Sequence, residues 1–463
     1  MDAGRMLFER IESEKLKLSL LQAFPFLLGS VITGLIAVLY TKLFAWAEHG
    51  TAYVFSHYNY LFFILTPTCF ILSWWLVKKF SPYARGSGIP QVMAAIELST
   101  PGTVDKVKRL LSLRIIIVKI ASSLVMVLGG GIIGREGPTI QISGSVFWKI
   151  NQWLPAWWPK ISKKNMIMTG AAAGLAAAFN TPLGGIVFAV EELTKTHINH
   201  FKTALFTAII IAGLTAQAFL GPYLYLGYPD VSNLSGFIFL PVILVASLSG
   251  LAGSGVSKWM LTLMRWKRSF TKDRQHLIYL IVCALIVASL AVFVTEGVFG
   301  SGKALITRTL FTHDKYSTWY ISLFRIMGPV LSFTTGAAGG VFAPALAAGA
   351  SVGSLLAGGF HLSATDTNLL ILSGMVGFLT GVTRTPFTSA ILVLEMTDRH
   401  NVIFHLMLAG MAASMTALLV DKHSFYDHLR EQCIHELRED KIVRETSTPM
   451  TIPGPISSQA TSS

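Results

Sequence analysis

Residues 179–192 read FNTPLGGIVFAVEE, and residues 383–396 read TRTPFTSAILVLEM. Laying Thr181-Pro182 over Thr385-Pro386 gives an offset of 204, which also places Glu191 on Glu395 and Gly170 on Gly374. GREGP at 134–138 falls on GVFAP at 340–344 with an offset of 206. Two motif pairs at nearly one offset indicate a duplication. Proline fits the first turn of a helix, where its missing N–H would be unpaired anyway, so each copy reads as a short helix that starts at Pro and ends at a glutamate. Duplicated halves with broken helices at matching positions are a transporter pattern, which places the substrate site between the halves near the membrane midplane. The expected organisation is a first repeat over 20–230 and a second over 235–430. From the transporter pattern we expect the repeats to be inverted.

Composition agrees with a membrane solvent. The 463 residues are 52% hydrophobic and 13% charged, against roughly 25% charged in soluble domains; so little charge cannot cover a large globule in water. Mean hydropathy is +0.58. The formal charge of +13 does not imply nucleic acid, because the basic residues flank apolar stretches. Arg5, Arg10, Lys15 and Lys17 precede the first stretch, Lys78 and Lys79 follow another, and Arg265, Lys267, Arg268, Lys272 and Arg274 lie between two more. This is a positive-inside distribution and predicts both termini in the cytoplasm. Residues 1–19 are charged, lack a cleavage site and read as an amphipathic helix on the inner membrane surface. Residues 431–463 read as a cytoplasmic tail with a helical beginning. Cys69, Cys283 and Cys433 have no CxxC spacing, so neither a disulfide framework nor a metal site is expected.

A crossing helix needs about 20 apolar residues. Residues 20–47, 61–77, 110–128, 204–220, 237–261, 277–294 and 402–420 qualify. Between them, 88–98, 136–150, 165–179, 182–193, 341–359, 368–382 and 386–396 are short or interrupted. Irregular backbone at membrane depth survives only where protein buries it or a polar cavity solvates it, so these segments predict an internal polar pathway in an all-helical, multi-pass protein.

GSGIP at 86–90, GREGP at 134–138 and GGVFAP at 339–344 share one design, glycines before a proline that opens an apolar helix. Glycine lets the backbone approach a ligand, and a helix N-terminus presents free N–H groups and partial positive charge. Three such ends point to an anion. Dehydrating a small ion costs tens of kcal/mol in the idealised limit. A helix dipole returns about 0.3–1 kcal/mol and a hydrogen bond to a charged group roughly 1.5–3 kcal/mol. Direct N–H and O–H donors must therefore do most of the solvation, and the absence of a full cation keeps the ion from binding too tightly for passage.

In this order and context, GSGIP, GREGP and GGVFAP resemble the signature motifs of the CLC family of chloride channels and chloride/proton exchangers, over about residues 20–426. The resemblance implies two inverted repeats of tilted, broken helices, a homodimer and one chloride pathway per subunit. It implies that Ser87 donates its hydroxyl to the central chloride, with the amides of Val341 and Phe342 facing the same ion, Gly137 beside it, and the Tyr426 phenol closing its inner side. It makes Glu136 the gating glutamate that competes with chloride and carries a proton, and Glu192 the inner proton acceptor. Lys119, alone in an apolar run, matches a buried family lysine near that glutamate, and Glu192 is its expected partner. Gln91 and Met93 stand where some family exchangers carry glutamates.

Glu136 also makes sense by itself: a carboxylate at a buried helix N-terminus mimics an anion, and burial and the helix end push its titration in opposite directions. Glu191 reads as a structural helix end, like Glu395. The function expected is chloride/proton antiport, with a passive voltage- or pH-gated chloride channel of the same fold as the alternative. A fluoride exporter fits less well, because the filter motifs match the chloride branch. No HExxH is present and no nucleophile–base pair stands out, so no enzyme and no cofactor are expected. The partners expected are chloride, protons and membrane lipid. The compact length points to a prokaryote and hence the cell inner membrane.

Overall fold

A computed structural model describes residues 13–447, apart from 101, 194–201, 222, 223, 296, 298 and 361. Its described secondary structure is helical: α1 Glu14–Tyr58, α2 Phe62–Phe80, α3 Ile89–Glu97, α4 Val104–Leu110, α5 Leu113–Leu128, α6 Glu136–Trp153, α7 Lys163–Phe179, α8 Pro182–Phe188 with a π turn over Ala189–Leu193, and α9 Lys202–Leu220. The second half continues with α10 Phe239–Arg268, α11 Asp273–Phe293, α12 Lys303–Phe311, α13 Trp319–Phe333, α14 Phe342–Phe360, α15 Ala364–Thr383, α16 Pro386–Thr397, α17 Ile403–Leu418 and α18 Phe425–Ser447.

Most expected elements form. Two stretches read as short or interrupted, 341–359 and 368–382, form the continuous helices α14 and α15 of 19 and 20 residues, the second longer than its apolar run. Their glycines, alanines and hydroxyl residues dilute hydropathy but allow close helix packing; α15 is buried nearly throughout. α12 and α13 arise from residues that the apolar runs did not single out. Residues 1–12, the larger part of the expected N-terminal surface helix, lie outside the described residues, and Glu14 already belongs to α1. α18 runs across residue 430 because its apolar face, Leu429, Cys433, Ile434 and Leu437, is buried. Residues 448–463 also lie outside the described set.

The duplication holds in three dimensions. α1 packs on α9 as α10 packs on α17, α6 on α7 as α14 on α15, and α7 on α9 as α15 on α17. Asn180 and Arg384, 204 apart, both end their helices in the left-handed conformation (φ 58° and 61°) and donate their amides to the equivalent carbonyls of Ala176 and Thr380. The carboxylate of Glu191, just beyond α8, accepts from the amides of Phe387 (3.2 Å) and Thr388 (2.7 Å) and from the Thr388 hydroxyl (2.6 Å) at the start of α16. Glu395, near the end of α16, accepts from the amides of Leu183 (3.1 Å) and Gly184 (2.8 Å) at the start of α8. Each helix caps the other's N-terminus, so the equivalent helices lie head to tail, as inverted repeats require. Gly134 and Gly340, equivalent residues, exchange two backbone hydrogen bonds of 2.8 Å. An antiparallel bridge between equivalent residues sits on the pseudo-two-fold axis, at the start of GREGP.

A candidate anion pathway

The three glycine–proline turns are stitched together. Gly86 donates to the Ala337 carbonyl (2.8 Å), Gly339 donates to the Gly86 carbonyl (3.1 Å), and Gly134 pairs with Gly340. These bonds bring the N-termini of α3, α6 and α14 to one point. Gly88, at φ 99°, makes the reversal that starts α3, a conformation that suits residues without a Cβ. A Cβ on Gly137 would stand 2.1 Å from Ser87 Oγ, so only glycine lets α6 approach that hydroxyl so closely.

Ser87, Glu136, Val341, Phe342 and Tyr426 are all buried here. The Phe342 and Tyr426 rings stack with centroids 6.2 Å apart and planes 11° apart. The Tyr426 phenol lies beside Ser87 and within electrostatic reach of both Glu192 and Glu136. The Glu136 carboxylate folds back over Gly134, where a Cβ would meet Oε2 at 2.3 Å, and faces its own amide and that of Ala343. Ser87 Oγ, Tyr426 Oη and both carboxylate oxygens of Glu136 are buried without a hydrogen-bond partner of good geometry. An orphaned buried polar group costs about 1–3 kcal/mol. Four around one point indicate donors and acceptors held for a ligand.

Two cavities approach this point. Lys78, Arg85, Ser87, Gln91, Lys267 and Arg268 help to line one of about 260 Å³. Lys42, Glu48, Arg135, Glu136, Ser301 and Lys303 help to line the other, of about 390 Å³. Ser87 faces the first and Glu136 the second, and Gly137, next to Glu136 in the chain, packs against Ser87. Glu192, 5% exposed, lies in the π turn after α8, away from both linings.

The expected Lys119–Glu192 pair does not form. Lys119 Nζ, fully buried, donates to the carbonyls of Ala84 (2.9 Å), Gly86 (2.8 Å) and Arg85 (3.5 Å). The turn before Ser87 directs its carbonyls away from the anion point, and the ammonium satisfies them. Gln141, which the motif reading passed over, supports the same turn by donating to the carbonyls of Tyr83 (3.1 Å) and Leu110 (2.9 Å); the sequence signal was an amide inside an apolar helix. Gln91 donates to the Arg85 carbonyl (2.9 Å), a structural contact. Among the described residues no cluster of His, Cys, Asp and Glu has metal-site geometry.

Comparison with known proteins identifies the fold and the family. The family model described as voltage gated chloride channel matches residues 69–418. The H(+)/Cl(-) exchange transporter ClcA of Salmonella arizonae is 26% identical over 470 residues, covering 96% of this chain and 95% of its own. A slow cyanobacterial Cl−/H+ antiporter superposes with a TM-score of 0.77 at 22% identity, over 90% of this chain and 98% of its own. A CLC-type fluoride/proton antiporter does so with a TM-score of 0.72 at 24% identity, over the same shares. The structures share the fold, and the family model spans most of the chain; this protein belongs to the voltage gated chloride channel family.

Proposed function

We propose that this protein exchanges chloride for protons across the membrane in which it is embedded. The observation that carries the proposal is the set of orphaned atoms at the meeting point of three helix N-termini, Ser87 Oγ and Tyr426 Oη as donors with the Glu136 carboxylate beside them. Chloride binds between the Ser87 and Tyr426 hydroxyls and the first amides of α14 at Val341 and Phe342, with Gly137 giving close approach. Two hydroxyls and two amides at roughly 1.5–3 kcal/mol each offset much of the dehydration without a full positive charge on the ion. Glu136 is the mobile anion. As a carboxylate it occupies the path from the second cavity, and chloride displaces it as it takes up a proton. Glu192 accepts the proton on the other side, and Tyr426, within reach of both, spans the gap. Lys119 holds the Ser87 turn in register.

The exchange named for the Salmonella relative and the positive-inside pattern support this reading. Lys78, Lys267 and Arg268 on the first cavity put that cavity on the cytoplasmic side. A homodimer in the cell inner membrane completes the proposal. The rival, a passive chloride channel, draws on Gln91, an amide where some family exchangers carry a carboxylate. Reconstituted vesicles separate the two: an imposed chloride gradient drives protons uphill in an exchanger. Chloride flux with no proton movement assigns the channel, and exchange of fluoride but not chloride overturns the substrate.

A further inference from the structure

The second half of the chain holds a second copy of the Ser87 turn. Residues 86–88 and 300–302 both read GSG. Gly86 and Gly300 have φ 61° and 63°, and Gly88 and Gly302 have φ 99° and 89°. Each turn opens a nine-residue helix, α3 or α12. Behind each stands a buried cation, Lys119 or Arg325, separated by the same offset of 206 that relates Gly134 to Gly340. Lys119 Nζ donates to the Gly86 carbonyl at 2.8 Å. Arg325 donates through Nη1 to the Gly300 carbonyl at 3.3 Å and through Nη2 to the Phe299 carbonyl at 3.0 Å. A Cβ on Gly88 would meet Lys119 Nζ at 3.1 Å, and one on Gly302 would meet the Arg325 guanidinium at 3.1 Å. The two turns are one device built twice.

They differ in what they hold. Ser87 Oγ faces no anion of the protein and has only the Tyr426 phenol beside it, without a bond of good geometry, whereas Ser301 is already engaged by an anion. The Glu48 carboxylate, reaching from α1, accepts from the Ser301 amide at 3.0 Å and from the Ser301 hydroxyl at 2.8 Å. Arg325 is 2% exposed, and its Nε has no hydrogen-bond partner. A buried guanidinium with a free donor, behind a turn whose N–H and O–H groups point forward, calls for negative charge. The turn also opens onto the 390 Å³ cavity, where Lys42, His49, Arg135 and Lys303 are cationic or titratable and Glu48 and Glu136 are acidic.

We propose that the Ser301 turn is a second binding site for a small inorganic monoanion of halide size, held closed by the Glu48 carboxylate as a tethered substitute ligand. On the chloride-exchange reading, on which this rests, chloride arriving in that cavity displaces Glu48 from Ser301 before it meets Glu136. Anion capture on this side is then a competition with a carboxylate at two successive points, built from the two copies of one turn.

The test is anomalous diffraction from the full chain crystallised in bromide. In Glu48→Ala the expected result is bromide on the Ser301 amide and hydroxyl, absent in the parent and lost again when Ser301→Ala is added. Bromide at Ser87 but not at Ser301 in Glu48→Ala overturns the second site and leaves the first intact. No bromide at either site overturns both readings. Glu48→Gln keeps the side-chain volume and covers a failure of the truncated variant to fold. In vesicles it is expected to lower, severalfold, the chloride concentration for half-maximal exchange on the Glu48 side. An unchanged value there refutes the competition.

Discussion

Replacing Ser87 by alanine deletes a single O–H donor from the anion point. The hydroxyl is 1% exposed and makes no hydrogen bond of good geometry, with only the Tyr426 phenol beside it, so its removal strands little, and the nearby Gly137 backbone gains room. The loss therefore falls on the ion. A hydrogen bond to a charged group is worth roughly 1.5–3 kcal/mol, and 1.4 kcal/mol is tenfold in affinity. Ser87→Ala should weaken chloride binding about 10- to 100-fold, with little change in the thermal midpoint of the detergent-purified protein. Tyr426→Phe deletes the other hydroxyl and should cost a similar factor, although its ring stack on Phe342 survives. The two losses should be nearly additive if each hydroxyl donates to the ion independently. Calorimetric titration of chloride reads the affinity, and bromide occupancy in crystals reads the place. If both single variants bind chloride within about twofold of the parent, a difference inside the usual scatter of additivity, the hydroxyls do not hold the ion and the site has been misplaced.

Glu136→Gln should abolish proton movement while chloride flux persists, because the amide can neither carry the proton nor compete as an anion; continued proton pumping in vesicles would contradict the gating role. Glu192→Gln should remove proton movement too, and here preserved coupling assigns another inner acceptor. Lys119→Met strips the Ala84 and Gly86 carbonyls of their donor, at about 1–3 kcal/mol each, partly offset by no longer burying an ammonium. Chloride affinity and thermal stability should fall together, and Lys119→Arg should recover part of both; a drop in stability with unchanged affinity would make the lysine merely structural. Glu191→Ala and Glu395→Ala should each destabilise by about 2–4 kcal/mol through lost charge-assisted caps. Glu191 should cost more, because it accepts three bonds to the two of Glu395, and denaturant unfolding followed by tryptophan fluorescence checks the order.

Much of the architecture was legible in the chain because membrane solvation writes it in local terms. Length of apolar run, proline at helix starts and flanking charge each depend on nearby residues alone, and they located most of the helices. The Thr-Pro repeat exposed the duplication and marked Glu191 and Glu395 as equivalent structural positions. The motifs also brought forward Ser87 and Glu136, since glycine–proline turns and a lone carboxylate at a helix start are chemical statements even before folding, whereas Tyr426 came only from the resemblance to the CLC family. α14 and α15 were underestimated because small residues lower hydropathy while serving helix contact.

What only the tertiary structure decided is which groups meet. The bridge between Gly134 and Gly340, the carbonyls that take Lys119 from its expected partner, and the seat of Glu48 on Ser301 all join residues far apart in sequence, and nothing local encodes such pairings. A buried charge must find some partner, which the sequence can require. Whether that partner is a carboxylate or a turn of carbonyls depends on which backbone passes within about 3 Å of it, and that is settled only when the two halves close around their shared axis.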